Sequence, residues 1–167
     1  MTNAGTIAGR QVVNLSAQNI HNLGGRISAT DVAVSARQDL NNLGGTLEGE
    51  DSLIATAGHD LNVISNTSTQ DSEQGSRTNI SRIAGLYVSA PGGTLVAMAG
   101  NDINLNAAAI GNSGEGGQTL IAAGNNLNLG TVTESSRQNI VWDDKNYRKD
   151  ASRTETGTLI QTNGDIQ

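Results

Sequence analysis

Ala57-Gly58-His59-Asp60-Leu61-Asn62 is the stretch whose reading decides the fold. It recurs as Ala99-Gly100-Asn101-Asp102-Ile103-Asn104 and as Ala123-Gly124-Asn125-Asn126-Leu127-Asn128, with a close relative in Ala36-Arg37-Gln38-Asp39-Leu40-Asn41. Weaker copies occupy residues 16–21 and 162–167. The steps from Asn or Asp to an aliphatic residue fall at Asn19, Asp39, Asp60, Asp102, Asn126 and Asp165, which are 20, 21, 42, 24 and 39 residues apart. Two of these gaps are close to double, so each hides either a degenerate repeat or an insertion. A second marker keeps the same period, since Asn22-Leu23-Gly24-Gly25 returns as Asn42-Leu43-Gly44-Gly45.

Within each unit apolar residues alternate with period two. Val32, Val34 and Ala36, then Leu53, Ala55 and Ala57, then Leu95, Ala97 and Ala99 fall on one side of an extended chain. Such alternation marks short strands, and the Gly, Asn and Asp between them supply turns. No window carries helical periodicity, and the density of Gly and Asn disfavours a helix. Short strands, frequent turns and a repeat near 20 residues predict a right-handed parallel β-helix, an all-β solenoid with one coil per repeat. The hand follows from the general preference of parallel crossovers. Residues 1–167 are expected to form a single β-helical repeat fragment of roughly eight rungs, a rod on the order of 40 Å long. No single unit can bury its own apolar face, so stability is expected to be a sum over neighbouring units.

Composition excludes several alternatives. There is no Cys and no Phe, and the chain has one Trp, two Tyr and one Pro. Disulfides, thiolate metal sites and cysteine nucleophiles are therefore out. No apolar run approaches the length of a membrane-spanning helix. Sixteen acidic against ten basic residues give a net charge of −6, which argues against nucleic acid as a partner. The first residues enter polar alternation directly, without the pattern of a secretory signal.

Two stretches interrupt the repeat. Residues 65–81 are rich in Ser, Thr, Asn and Gln and read as an extended strand or an exposed loop. Residues 131–157 hold half of the basic residues, Arg137, Lys145, Arg148, Lys149 and Arg153, with the only Trp and one of the two Tyr. Five basic and three acidic residues leave 137–153 at +2 and the remainder at −8. Asp143-Asp144-Lys145-Asn146 looks like a turn, so 138–142 and 147–151 are expected to pair as an antiparallel hairpin. Trp142, Tyr147, Arg148 and Lys149 are the candidate contact patch for a glycan or protein, because aromatic and arginine side chains dominate binding sites. The competing reading, which the residues favour, folds Trp142 and Tyr147 back over the rod.

Catalytic signals are weak. His21 stands where other units carry Asn41, Asn62, Asn104 and Asn128, and His59 stands where they carry Gln38, Asn101 and Asn125. Each replaces a turn amide, with no ligand at a local spacing. Asn19, Asp39, Asp60, Asp102, Asn126 and Asp165 read as structural turn residues that bond backbone and stack along the rod. Stacked Asp39 and Asp60 would repel, and a cation between them is conceivable, yet the calcium nonapeptide pattern is not met. Glu48, Glu50 and Asp51 cluster, but glycan cleavage needs two converging carboxyl groups, and the rod has almost no aromatic platforms for sugar. No enzyme activity, no cofactor and no metal are expected.

The repeat strings at 57–62 and 99–104, with Asn42-Leu43-Gly44-Gly45, resemble the haemagglutinin repeats of filamentous haemagglutinin. Ser81-Arg82-Ile83-Ala84-Gly85-Leu86-Tyr87-Val88, and the 131–157 stretch ending in Thr158-Leu159-Ile160, look more specifically like the contact-dependent growth inhibition effectors. The resemblance covers nearly the whole chain. It implies a repeat region of a very large exoprotein, exported by two-partner secretion through an outer-membrane transporter and displayed at the bacterial cell surface. Its partners are then the rest of the same exoprotein, that transporter, and a target-cell receptor or outer membrane. The family's secretion domain with its Asn-Pro motifs, and its C-terminal toxin, are not part of this sequence, and no catalytic residue carries over.

Overall fold

The computed structural model describes residues 1–143 and 145–167; Asp144, one of the four expected turn residues, lies outside them. In chain order the strands are β1 (Thr2–Asn3), β2 (Thr6–Ala8), β3 (Val12–Ala17), β4 (Ile20–Leu23), β5 (Arg26–Ala36), β6 (Leu40–Leu43), β7 (Thr46–Ala57), β8 (Leu61–Ile64), β9 (Asn66–Ser72), β10 (Gly75–Arg82), β11 (Gly85–Val88), β12 (Thr94–Ala99), β13 (Ile103–Asn106), β14 (Ala109–Asn112), β15 (Gln118–Ala123), β16 (Leu127–Asp143), β17 (Asn146–Gly157), β18 (Leu159–Thr162) and β19 (Asp165–Ile166). The protein is all-β, and among the described residues there is no helix.

Most of the pairing is parallel, between segments one repeat apart. One ladder runs β1-β4-β6-β8-β13 and ends on the first residues of β16. A second runs from β2 through the first halves of β5 and β7 to β11, β14 and β18. A third runs from β3 through the second halves of β5 and β7 to β12, β15 and β19. Each ladder is six segments deep, fewer than the eight that length alone suggests, because the two insertions consume chain without adding to the ladders.

Register places like on like. Ile20, Leu40, Leu61 and Ile103 are direct neighbours in the first ladder, each 0% exposed. Ile27, Leu47, Leu86 and Ile110 form the equivalent column in the second, and Val32, Leu53 and Leu95 in the third. These residues belong to one continuous core. A fully buried aliphatic side chain is worth about 1.5–3 kcal/mol before chain entropy is subtracted.

The Asn-x-Gly-Gly marker has a structural cause. Asn3, Asn22 and Asn42 face inward, and each amide donates to the carbonyl of the next one's side chain at 2.8 Å (Asn3 to Asn22, Asn22 to Asn42). The Asn22 and Asn42 amides also donate to the carbonyls of Gly25 and Gly45 at 2.9 Å. A Cβ at Gly45 would lie 2.2 Å from Asn22 Nδ2, and Gly44 before it has φ +61°. Side chains are thus excluded from the second glycine by the asparagine column and disfavoured at the first by the turn.

The interval of 42 residues between Asp60 and Asp102 is an insertion and not a lost repeat, since Leu61 pairs directly with Ile103. That insertion is a complete antiparallel hairpin, β9 with β10, and not a loose loop. It starts at Asn66, one residue later than expected. Ser65 is buried, and its hydroxyl donates to the Ala107 carbonyl at 2.7 Å and accepts from the Ala84 amide at 2.9 Å.

Candidate interaction surface

Both insertions leave the body from the same place in the repeat, directly after a first-ladder segment: after Ile64 and after Gly130. Thr158 closes the second insertion as Ser65 opens the first. Its hydroxyl donates to the Leu105 carbonyl at 2.7 Å and accepts from the Ala108 amide. The unit between them has no insertion there and turns through Ala107, the one non-glycine residue with positive φ (47°) among those described. Because they emerge at one corner, the two hairpins meet. β10 pairs antiparallel with β16 from Gly75↔Gln138 to Thr78↔Ser135, which makes a four-stranded antiparallel side sheet in the order β9-β10-β16-β17.

Glu134 ties this sheet together. One carboxylate oxygen accepts from the Ile80 amide at 3.0 Å and the other from the Thr156 hydroxyl at 3.1 Å, so it links one hairpin to the far strand of the other. Arg82, at the foot of the first hairpin, lies across the Gly24 and Gly44 turns and donates to the Gly24 carbonyl, anchoring the sheet to the body.

The second hairpin pairs along its whole length, from Thr131↔Gly157 to Asp143↔Asn146, with a bulge between Val141 and Asp143. At its tip the Asp143 carboxylate accepts from the Lys145 and Asn146 amides at 2.8 Å and from Asn146 Nδ2 at 2.6 Å. The Asn146 side-chain bond, reinforced by those amides, holds the Asp143 carboxyl below its usual range.

The four candidate contact residues divide between two faces. Tyr147 is the register partner of Val141, and the Lys149 ammonium sits 5.4 Å from the centroid of the Tyr147 ring on that same face. Arg148 points to the other face by strand alternation and is paired with Asp150 at 2.5 Å. Trp142 sits at the bulge. Trp142 and Tyr147 are 66% and 61% exposed, which corrects the expectation that they fold back over the body. The hairpin's root is committed to β10, and that pairing carries the tip away from the core. A shallow depression of about 320 Å³ on the hairpin is lined by Arg137, Gln138, Asn139, Lys149, Asp150 and Ala151. An exposed aromatic, an adjacent cation and amide side chains are the equipment of recognition.

The turn residues form a second linear array. Asn19 Oδ1 accepts from the Asp39 amide, Asp39 Oδ1 from the Asp60 amide, Asp60 Oδ1 from the Asp102 amide and Asp102 Oδ1 from the Asn126 amide, all at 3.0–3.2 Å. Each side chain therefore caps the backbone of the next unit. Burial at the corner opposes ionisation of Asp60, but bonds from Asn101 and the Asp102 amide, with the charge of His59, outweigh it and lower its pKa. Asp165 does not join this array. It lies in β19, paired with Gln118 of the third ladder, because the 131–157 insertion offsets the spacing from Asn126 and brings residue 165 to a strand position and not to a corner. A parallel outer column runs His21, Asn41, Asn62, Asn104, Asn128, with amide-to-carbonyl bonds of 2.8 Å between the last four.

His59 departs from the sequence reading most clearly. Its Nδ1 lies 3.1 Å from Asp39 Oδ1 and 3.2 Å from Asp60 Oδ2, so it has two carboxylate partners where local spacing suggests none. The missed signal is the period itself: residue 39 is one repeat back from residue 59.

No family model, no curated protein and no solved structure matches this chain.

Proposed function

We propose that the chain is a segment of a right-handed parallel β-helix and serves as a non-catalytic shaft in a large secreted bacterial surface exoprotein. The exoprotein is of the contact-dependent growth inhibition or filamentous haemagglutinin type. Its role is mechanical: to space and present a distal toxin or binding domain, and to take part in its passage across the target outer membrane. The observation that carries the reading is the register, in which equivalent aliphatics stack in columns through all three parallel ladders. A chain free of cysteine, whose units need only their neighbours, suits export in extended form through an outer-membrane transporter followed by folding outside.

The test uses a strain that exports this sequence within its longer protein. Deleting one whole unit, residues 37–57, should leave surface display and target-cell inhibition or adhesion intact, because a spacer tolerates loss of one repeat. Leu53→Asp, which puts a charge in the dry column, should abolish both. Full activity in the Leu53→Asp strain would overturn the reading.

A second reading makes the 131–157 hairpin a receptor- or glycan-binding module, and the exposure of Trp142 and Tyr147 favours it. Loss of cell binding in a Trp142→Ala, Tyr147→Ala double variant of unchanged fold would establish it.

A further inference from the structure

The proposed shaft makes no use of the one place where an imidazole meets two carboxylates. Asp39, His59 and Asp60 each offer one ligand atom, and the three atoms lie within 4.8 Å of one another. The two nitrogen-to-oxygen separations are 3.1 and 3.2 Å. Metal–ligand bonds of about 2.0–2.2 Å place neighbouring donor atoms roughly 3–3.5 Å apart around a tetrahedral or octahedral ion. Both separations from the imidazole nitrogen fall in that range.

The repeats supply an internal comparison. At the slot of His59, Asn101 and Asn125 each donate an amide hydrogen to the preceding Asp, at 2.8 and 3.1 Å. An amide nitrogen can do no more than that. The imidazole that replaces it has a lone pair when neutral, so it alone in this column can serve as a nitrogen ligand. The carboxylates are also held before any ion arrives. Asp39 Oδ1 is fixed by the Asp60 amide and Asp60 Oδ1 by the Asp102 amide, which leaves Asp60 Oδ2 turned toward His59. The side chains of His59 and Asp39 are 60% and 40% exposed, so water can complete the shell.

We propose that Asp39, His59 and Asp60 form a site for one divalent transition-metal cation of the zinc type. The donor set selects this class: imidazole with carboxylate suits Zn²⁺, Co²⁺ and Ni²⁺, whereas Ca²⁺ and Mg²⁺ take oxygen ligands. Two carboxylates balance the charge of the ion, which would clip one repeat unit to the next at a solvent-facing corner.

The experiment is calorimetric titration of the whole chain with Zn²⁺, Co²⁺, Ca²⁺ and Mg²⁺, with the visible absorption of bound Co²⁺ as a report on its ligands. One equivalent of Zn²⁺ or Co²⁺ should bind. His59→Asn installs the amide that other units carry, and should leave the metal-free melting temperature unchanged while weakening binding at least about tenfold. Asp39→Asn, which keeps the capping oxygen as Asn19 does, should weaken it similarly, and His21→Asn should not. Absence of Zn²⁺ and Co²⁺ uptake by the unmodified chain would overturn the proposal. So would undiminished uptake by the His59→Asn variant, equal loss in the His21→Asn variant, or Ca²⁺ binding as tightly as Zn²⁺.

Discussion

At the residue scale, the molecule satisfies its turns with side chains that reach from one unit to the next. Asn42 is 0% exposed and bonds Asn22, Gly45 and Gly85 at once. Asn42→Ala removes that hub and leaves one hydrogen of the buried Asn22 amide without its acceptor, so it should destabilise by about 1–3 kcal/mol in urea denaturation. Thr119 is the opposite case. It stands between Leu95 and Ile166 in an otherwise aliphatic column, is 3% exposed, and its hydroxyl finds no partner among the described residues. Thr119→Val keeps the shape and removes the unpaired group, and should stabilise by roughly 1 kcal/mol in the same assay.

At the scale of the element, the side sheet holds itself by polar links more than by a core, and its strands are exposed along most of their length. Glu134→Ala should loosen β10 from β16 without unfolding the ladders. Hydrogen exchange would show it as lost protection confined to residues 75–82 and 131–157. The tip depends on a charged Asp143. Its pKa is lower in the folded hairpin than in the free chain, so the stabilisation is fully present above the ordinary value of about 3.8. It disappears as pH falls through the depressed folded value. Trp142, one residue away and exposed, should report this as a fluorescence change in acid, and Asp143→Ala should abolish that transition by loosening the tip at every pH.

For the whole molecule, the dry columns dominate. Leu53 sits at 0% exposure between Val32 and Leu95. Leu53→Ala should cost about 2–5 kcal/mol by equilibrium denaturation. Leu95→Ala, one step along the same column, should combine non-additively with it, because the two cavities share a wall. Charge is segregated on the same scale, with 137–153 at +2 and the remaining chain at −8. The projecting tip is thus the part of the molecule suited to an anionic surface.

Period-two alternation within a 20-residue repeat was enough to read short strands, an all-β fold and a core of stacked aliphatics, because both signals are set by backbone geometry that every unit shares. The hairpin within 131–157 was legible too, from the turn residues at its centre, although the pairing extends from Thr131↔Gly157 and so beyond the flanks 138–142 and 147–151. What the sequence alone did not reveal lies between units. The two hairpins pair because they leave at the same corner, and that follows only from where Ile64 and Gly130 fall in register. Trp142 and Tyr147 stay exposed because the hairpin is held by β10, a constraint that joins Ile80 to Glu134 across 54 residues of chain. His59 gains Asp39 as a neighbour because a residue one repeat back in the chain stands one strand spacing away in space, so groups that are remote along the sequence become each other's first partners.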